Sequence, residues 1–253
     1  MREVLLVRAL AGDDRDAEAL RARGVDVVED PYLSVAACTD AAAVDRAGHC
    51  VDEIASGSDW LVVTSQAALR ALSELTGADA LRESMVKGQA RGLRIATVGA
   101  ATAAALAELG AVDVLVPSVS TAAALEEQLA TLGPASVIAP QGSQAMKGLA
   151  SGLRALGWQI DEQIVYETTT VTERPASADR LAAGAFAAVV FRSPTALRAV
   201  TTFVPRLPDG TLVVCGGPTT AAEAERLAIG TVVVSPAPTA DAVADTVVSA
   251  LSS

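Results

Sequence analysis

Val62-Val-Thr-Ser-Gln-Ala-Ala-Leu-Arg-Ala-Leu72 and Val190-Phe-Arg-Ser-Pro-Thr-Ala-Leu-Arg-Ala-Val200 agree at six of eleven positions: 62/190, 65/193, 68/196, 69/197, 70/198 and 71/199. In both, an apolar run with β-branched residues passes through a serine into an Ala/Leu-rich segment of helical period, the pattern of a strand feeding a helix. Two shorter matches accompany this one. Gly99-Ala-Ala-Thr102 aligns with Gly216-Gly-Pro-Thr219, and Leu20-Arg-Ala-Arg-Gly24 aligns with Leu153-Arg-Ala-Leu-Gly157. A duplicated β-α domain is the simplest account. Outward from these segments, strands are expected near 3–8, 25–30, 60–64, 94–98, 113–116, 137–140, 160–166, 188–192, 211–215 and 231–234. Ten strands exceed one compact doubly wound domain of this length and suit two five-stranded ones. Helices fit between them, among others 14–22, 66–75, 101–109 and 144–156, each followed by a glycine suited to a left-handed cap (Gly24, Gly77, Gly110, Gly157). Repetition alone leaves two partitions open: sequential halves of about 1–130 and 131–253, or a middle domain inserted into one made from both ends.

The composition narrows the class. Of 253 residues, 51% are hydrophobic and 19% charged, far from the disordered corner. The longest uncharged stretch, Gln128 to Met146, is broken by Gly133, Pro134, Pro140 and Gly142, so no membrane span is expected. Near the start, Val4 to Val7 is too short for a signal-peptide core, and a cytoplasmic location is the expectation. Cys38, Cys50 and Cys215 are widely spaced, and the single histidine, His49, has only Cys50 beside it; neither a disulfide framework nor a zinc site follows. A net charge of −11 argues against nucleic acid or an anionic membrane as partner, so an anionic ligand needs local donors.

In open α/β sheets ligands bind beyond the carboxyl ends of the strands. Here those ends carry hydroxyls: Thr64-Ser65, Thr102 after Gly99, Ser193-Pro194, and Thr219-Thr220 after Gly216-Gly217. Each stands where a helix begins, and helix amino ends attract anions; for any one of them alone, simple N-capping is the more economical reading. Glycine-rich nucleotide motifs and the nucleophile elbow are absent, and without a triad histidine the serines have no obvious activating base. The adjacent carboxylates Glu126-Glu127 and Asp161-Glu162 read as solvated surface. What remains is a site of hydroxyls, backbone amides and arginines.

Arg8 after the first strand, Trp60-Leu-Val-Val-Thr-Ser65, Val98-Gly-Ala-Ala-Thr102-Ala, Val165-Tyr166-Glu-Thr168, Phe191-Arg-Ser193-Pro and Gly216-Gly-Pro-Thr219-Thr220-Ala occur in an order that resembles the uroporphyrinogen-III synthase family across nearly the whole chain. The resemblance implies a cofactor-independent lyase of tetrapyrrole biosynthesis, which cyclises linear hydroxymethylbilane with loss of water and inverts the last pyrrole ring. It implies an α/β fold of two flavodoxin-like, doubly wound parallel-sheet domains joined by a two-stranded connector. The domains would be 1–34 plus 174–253, and 40–165, with 35–39 and 166–173 as connector. Tyr166 becomes the expected catalytic residue, and Arg8, Thr64, Ser65, Thr102, Ser193, Thr219 and Thr220 the expected substrate contacts. A monomer with a small-molecule tetrapyrrole partner, no metal, no nucleic acid and no membrane is implied as well. Ala9, Gln141 and Arg192 depart from the family pattern, which often has proline, a basic residue and threonine there. A non-catalytic two-domain sensor of a small anionic ligand is the alternative.

Overall fold

Val4, Leu5, Leu6 and Val7 are apolar on both faces of a strand, an arrangement that only a sheet covered on both sides accepts. In the computed structural model, which describes residues 3–9, 15–143 and 148–252, they form β1 (Glu3–Ala9) and are at most 2% exposed. Next come α1 (Arg15–Ala22), β2 (Val27–Ala37) and α2 (Ala41–Asp52), which runs into a π-helical turn at Glu53–Gly57. Then follow β3 (Trp60–Val63), α3 (Gln66–Thr76), α4 (Ala78–Arg91), β4 (Arg94–Thr97), α5 (Ala100–Glu108) and α6 (Ala122–Ala130). The second half supplies β5 (Ser136–Gly142), α7 (Gly148–Ala155), β6 (Gln159–Thr170), α8 (Ala178–Ala182), β7 (Phe186–Phe191) and α9 (Pro194–Phe203). It ends with β8 (Leu212–Cys215), α10 (Pro218–Leu227), β9 (Thr231–Val234) and α11 (Ala240–Leu251). No helix of the described residues is long and apolar enough to cross a membrane.

The chain divides into two compact units, Met1–Val35 with Thr169–Ser253 (the terminal unit) and Ala36–Thr168 (the middle unit). Strand order in the terminal unit is β2-β1-β7-β8-β9, every pair parallel. In the middle unit it is β4-β3-β5-β6, again parallel. β2 and β6 are the strands that pass from one unit to the other. Cys38 N–H donates to the Val165 carbonyl within the middle unit, and Val171 N–H to the Tyr32 carbonyl within the terminal one.

Strand alternation sorts the apolar side chains onto two faces. In the terminal unit Leu5 and Val7 join Phe186, Phe191 and Leu197 on one side, while Val4 and Leu6 meet Leu20 and Val247 on the other. The middle unit repeats the plan, with Leu61 and Val63 against Leu72 and Met85, and Trp60 and Val62 against Leu125 and Leu153. Each such buried side chain is worth about 1.5–3 kcal/mol relative to exposure.

The duplication is visible as a shared register. β1 against β2 pairs Leu6 with Glu29 and Arg8 with Pro31, then slips to Ala9 with Leu33. β5 against β6 pairs Ala139 with Glu162 and Gln141 with Ile164, then slips to Gly142 with Tyr166. Each residue of the second set stands 133 positions after its counterpart (8 and 141, 29 and 162, 33 and 166), and the bulge falls at the same step. The segment expected as a strand at 113–116 contributes only one bridge, Leu115 to Ala96, because Asp113 takes φ 51° and Pro117 ends the donor row. Gly24, Gly77, Gly110 and Gly157 have positive φ as the helix ends require. Asp14 and residues 144–147, the starts of two expected helices, lie outside the described residues.

All three cysteines are free and buried. Burial, with Asp161 and Glu53 adding to it, pushes the Cys50 thiol from 9.0 up to about 12, and burial likewise pushes Cys215 to about 11. The folded state therefore holds the protonated thiols, and this contribution to stability is present below pH 9 and lost as pH rises through 9 to 12. A thiol reagent at pH 8 should label Cys50 and Cys215 only as fast as the protein opens, and denaturant midpoints should fall above pH 9. Labelling of native protein at the rate of a free thiol would contradict their burial.

Candidate active site

A parallel sheet whose connections run outward in both directions opens a crevice where the direction changes. In the terminal unit β1 leads through α1 to β2 on one side, and β7 leads through α9 to β8 on the other, so the crevice lies at the ends of β1 and β7. Arg8, Arg192 and Ser193 stand there. Arg8 pairs with the Glu29 carboxylate, which also accepts from Arg21 Nη2 at 2.6 Å. Arg192 crosses Gly216, where a Cβ would sit 3.2 Å from its Nη1. Its Nη2 donates to the Pro238 carbonyl at 2.7 Å, and its Nε lies 3.2 Å from Asp16 Oδ2.

In the middle unit the change of direction lies between β3 and β5, and a cavity of about 440 Å³ opens there. Thr64, Ser65, Ser120 and Thr121 supply its hydroxyls, and Tyr166, Gln141 and Glu162 its remaining polar groups. Val62, Val137, Leu153 and Ile160 are among its apolar walls. The Tyr166 ring lies against Gly142, where any Cβ would come within 2.4 Å of it, so glycine is required by close approach. Glu162 Oε1 accepts from Gln141 Nε2 at 2.8 Å, and Arg154 Nη1 is 2.6 Å from Glu162 Oε2.

These two arrangements are copies of each other. Arg8, Arg21 and Glu29 stand where Gln141, Arg154 and Glu162 stand 133 positions later, and in each set the carboxylate holds the other two side chains. One guanidinium of the first set is an amide in the second. Asp161 and Glu162, solvated neighbours by their adjacency in sequence, point to opposite faces as strand residues must. Asp161 Oδ2 lies 2.6 Å from His49 Nε2, while Glu162 faces the cavity. Period-two alternation from Ile160 is the sequence signal that identifies it.

The hydroxyls fall into two groups. Ser65 and Ser193 are N-caps, accepting from Ala67 N–H at 3.1 Å and Ala196 N–H at 3.2 Å, although each hydroxyl proton is still available for donation. Thr102, Thr219 and Thr220 are not caps. The N-cap residues of α5 and α10 are Gly99 and Gly217, which offer no side-chain cap, so Thr102 and Thr220 both occupy the third helical position. Both are buried, at 8% and 4% exposure, and neither hydroxyl has a hydrogen-bond partner among the described residues. Thr219, the residue that sequence alignment pairs with Thr102, is exposed one position earlier. Thr64 is exposed at the cavity mouth. Thr102 does not line that cavity.

The tyrosines separate as well. Tyr32, the other tyrosine of the sequence, is the register counterpart of Val165; Leu33 is the counterpart of Tyr166. Tyr32 is fully buried, with its hydroxyl 3.0 Å from Ser177 Oγ. Burial raises its pKa, partly offset by that hydrogen bond. Tyr166 is half-buried and open to the cavity.

The family model described as uroporphyrinogen-III synthase HemD matches residues 14–245. The fold is similar to that of uroporphyrinogen-III synthetase from Helicobacter pylori 26695, with TM-score 0.65 and 16% identity over 99% of this chain and 100% of that one. It is also similar to a mutant uroporphyrinogen III synthase from the extremely thermophilic bacterium Thermus thermophilus, with TM-score 0.55 and 17% identity over 99% of both chains. No curated protein matches the sequence.

Capping and burial make opposite demands on stability. Ser65→Ala and Ser193→Ala should each cost about 1 kcal/mol, the usual scale of a lost cap, or about 2–4 °C in melting temperature. Thr102→Val and Thr220→Val keep the side-chain shape and remove a hydroxyl without a partner, so thermal melts should be unchanged or raised. A fall of several degrees in either valine variant would show that its hydroxyl is held within the fold.

Proposed function

The chain belongs to the uroporphyrinogen-III synthase family of cyclising lyases, and we propose that it converts hydroxymethylbilane to uroporphyrinogen III, with loss of water and inversion of the last pyrrole ring. The observation that carries this reading is the family match across residues 14–245. The placement of hydroxyls, arginines and Tyr166 around two switch-point crevices supports it.

The architecture proposed is two flavodoxin-like domains, 1–34 plus 174–253 and 40–165, with 35–39 and 166–173 as connector. The order β2-β1-β7-β8-β9 supports this, since it is the 2-1-3-4-5 order of flavodoxin when strands are numbered within the unit. The middle unit has the same order with a different chain start, if β5 is counted first and Leu115 last. A cytoplasmic monomer working without cofactor or metal completes the proposal.

The substrate is a flexible chain carrying eight carboxylates. Thr64, Ser65, Thr102, Ser193, Thr219 and Thr220, with the open amides of helix amino ends, supply many modest donors in place of one dominant charge. Arg8 supplies a guanidinium able to shift its hydrogen bonds between Glu29 and a substrate carboxylate. Departure of the hydroxymethyl oxygen leaves an azafulvene that reacts with water, so exclusion of solvent decides whether the ring carbon is attacked instead. Tyr166, whose ring lines the cavity, donates the proton that leaves with that oxygen. Nothing specific favours the sensor reading.

Incubation with enzymatically generated hydroxymethylbilane should give isomer III, and formation of isomer I alone would refute the assignment. Tyr166→Phe retains the ring on Gly142 and should lower kcat about a hundredfold, the scale of a general acid, or roughly 3 kcal/mol of barrier. Tyr32→Phe should cost about 1 kcal/mol of stability and leave the rate unaltered. A Tyr166→Phe enzyme at parental rate would remove the acid role. Thr102→Val and Thr220→Val should lower kcat/KM about tenfold each, as loss of a hydrogen bond to a charged group does.

A further inference from the structure

We propose that the cavity of the middle unit is a pocket for a single pyrrole ring, and that the Glu162 carboxylate selects the ring by accepting its N–H. The inference rests on the functional reading above and adds to it a subsite and a positioning residue.

Three observations carry it. At about 440 Å³ the cavity lies within the range of small-molecule pockets, and its walls are mostly apolar. That volume and lining suit one flat ring with its arms. Second, Glu162 is the only charged residue lining the cavity among the described residues. An anion placed there would meet like charge, and among the described residues the one cation on that carboxylate, Arg154, is already engaged with its other oxygen and does not line the cavity. A neutral N–H donor meets an ionised acceptor instead, which makes the stronger class of hydrogen bond. Carboxylate arms are thereby directed outward to the hydroxyl rim of Thr64, Ser65, Ser120 and Thr121.

The third observation is the comparison between the two copies of the polar set. Glu29 in the terminal unit faces two guanidinium groups, Arg8 and Arg21, which occupy both of its oxygens. Glu162 faces one, Arg154, and its other oxygen takes an uncharged amide hydrogen from Gln141. A carboxylate oxygen accepts more than one hydrogen bond. Among the described residues Glu162 Oε1 takes an amide hydrogen and no guanidinium, and it is the acceptor left with capacity toward the cavity. Substitution of the guanidinium by Gln141 therefore converts a closed ion cluster into a hydrogen-bond acceptor site.

The mundane alternative is that Glu162 and Arg154 merely tie β6 to α7. Both readings are separable with porphobilinogen, a monopyrrole bearing one acetate and one propionate arm, and its N-methyl analogue, titrated into the full-length protein by NMR or calorimetry. The parent should bind porphobilinogen and prefer it to the N-methyl analogue. Glu162→Gln should weaken porphobilinogen binding about tenfold, the step from a charged to a neutral acceptor, and abolish the preference over the analogue. With hydroxymethylbilane the same variant should raise KM by a similar factor while kcat falls less. Arg154→Gln breaks the tie but spares the acceptor, and should leave the preference intact. Equal losses in the two variants, no preference for the N–H form, or no binding by the parent would overturn the pocket. If the parent makes isomer III while any of these holds, the subsite alone fails; if it makes none, the functional reading fails first.

Discussion

A parallel strand cannot pair with its successor through a tight turn, and the whole fold follows from how β1 meets that constraint. β1 is buried on both faces, so it needs a neighbour at each edge and a helix layer on each side. One edge is filled by β2, a short crossover away, and the other by β7, which begins at Phe186. The terminal unit therefore has no closed sheet until the last third of the chain is in place, whereas the middle unit, Ala36–Thr168, is continuous. Loop-closure entropy falls on the terminal unit, and long-range pairing of this kind is the slow part of folding.

The same pairing decides between the two partitions that repetition alone leaves open. The repeats are sequential: β1-α1-β2 and β3 to α6 in the first half, β5-α7-β6 and β7 to α11 in the second. Yet each compact unit takes its first three elements from one half and the rest from the other. The terminal unit joins β1-α1-β2 to β7–β9, and the middle unit joins β5-α7-β6 to β3 and β4. Sequential halves describe the repeat alone; as compact units they are overturned by the packing, which gives the inserted middle. This exchange has the form of a domain swap within a single chain.

Strand and helix positions are legible in the sequence because apolar period and glycine caps are local signals; β3-α3 and β7-α9 show this most directly. Faces and registers are less so. Tyr166 both lines the cavity and packs against the core cluster that holds Val165, at a point where a bulge at Gln141/Gly142 interrupts the alternation, and nothing in the local sequence fixes a bulge. Residue type matches Tyr32 to Tyr166, although its place in the register belongs to Val165. A preceding glycine matches Thr219 to Thr102, although α10 starts at the second glycine and shifts the equivalence to Thr220. Adjacency to Asp161 hides Glu162, because two neighbouring carboxylates suggest one solvated patch. In each case the residue type is readable locally, and its environment is set by pairing at long range.

Duplication supplies two crevices with the same skeleton and unlike side chains. Arginine at position 8 and glutamine at position 141 are counterparts, so one crevice offers a guanidinium where the other offers an amide over an apolar cavity. A protein of net charge −11 cannot attract a polyanion by its overall field. Donors fixed at helix amino ends act at hydrogen-bond range, where their geometry outweighs a screened net charge. Under the proposed function, the carboxylate arms are drawn to hydroxyls, amides and Arg8, and the rings to the surface that has fewest charges. Each crevice then selects by its own chemistry, and the change from Arg8 to Gln141 is what makes the two related crevices differ in the group they accept.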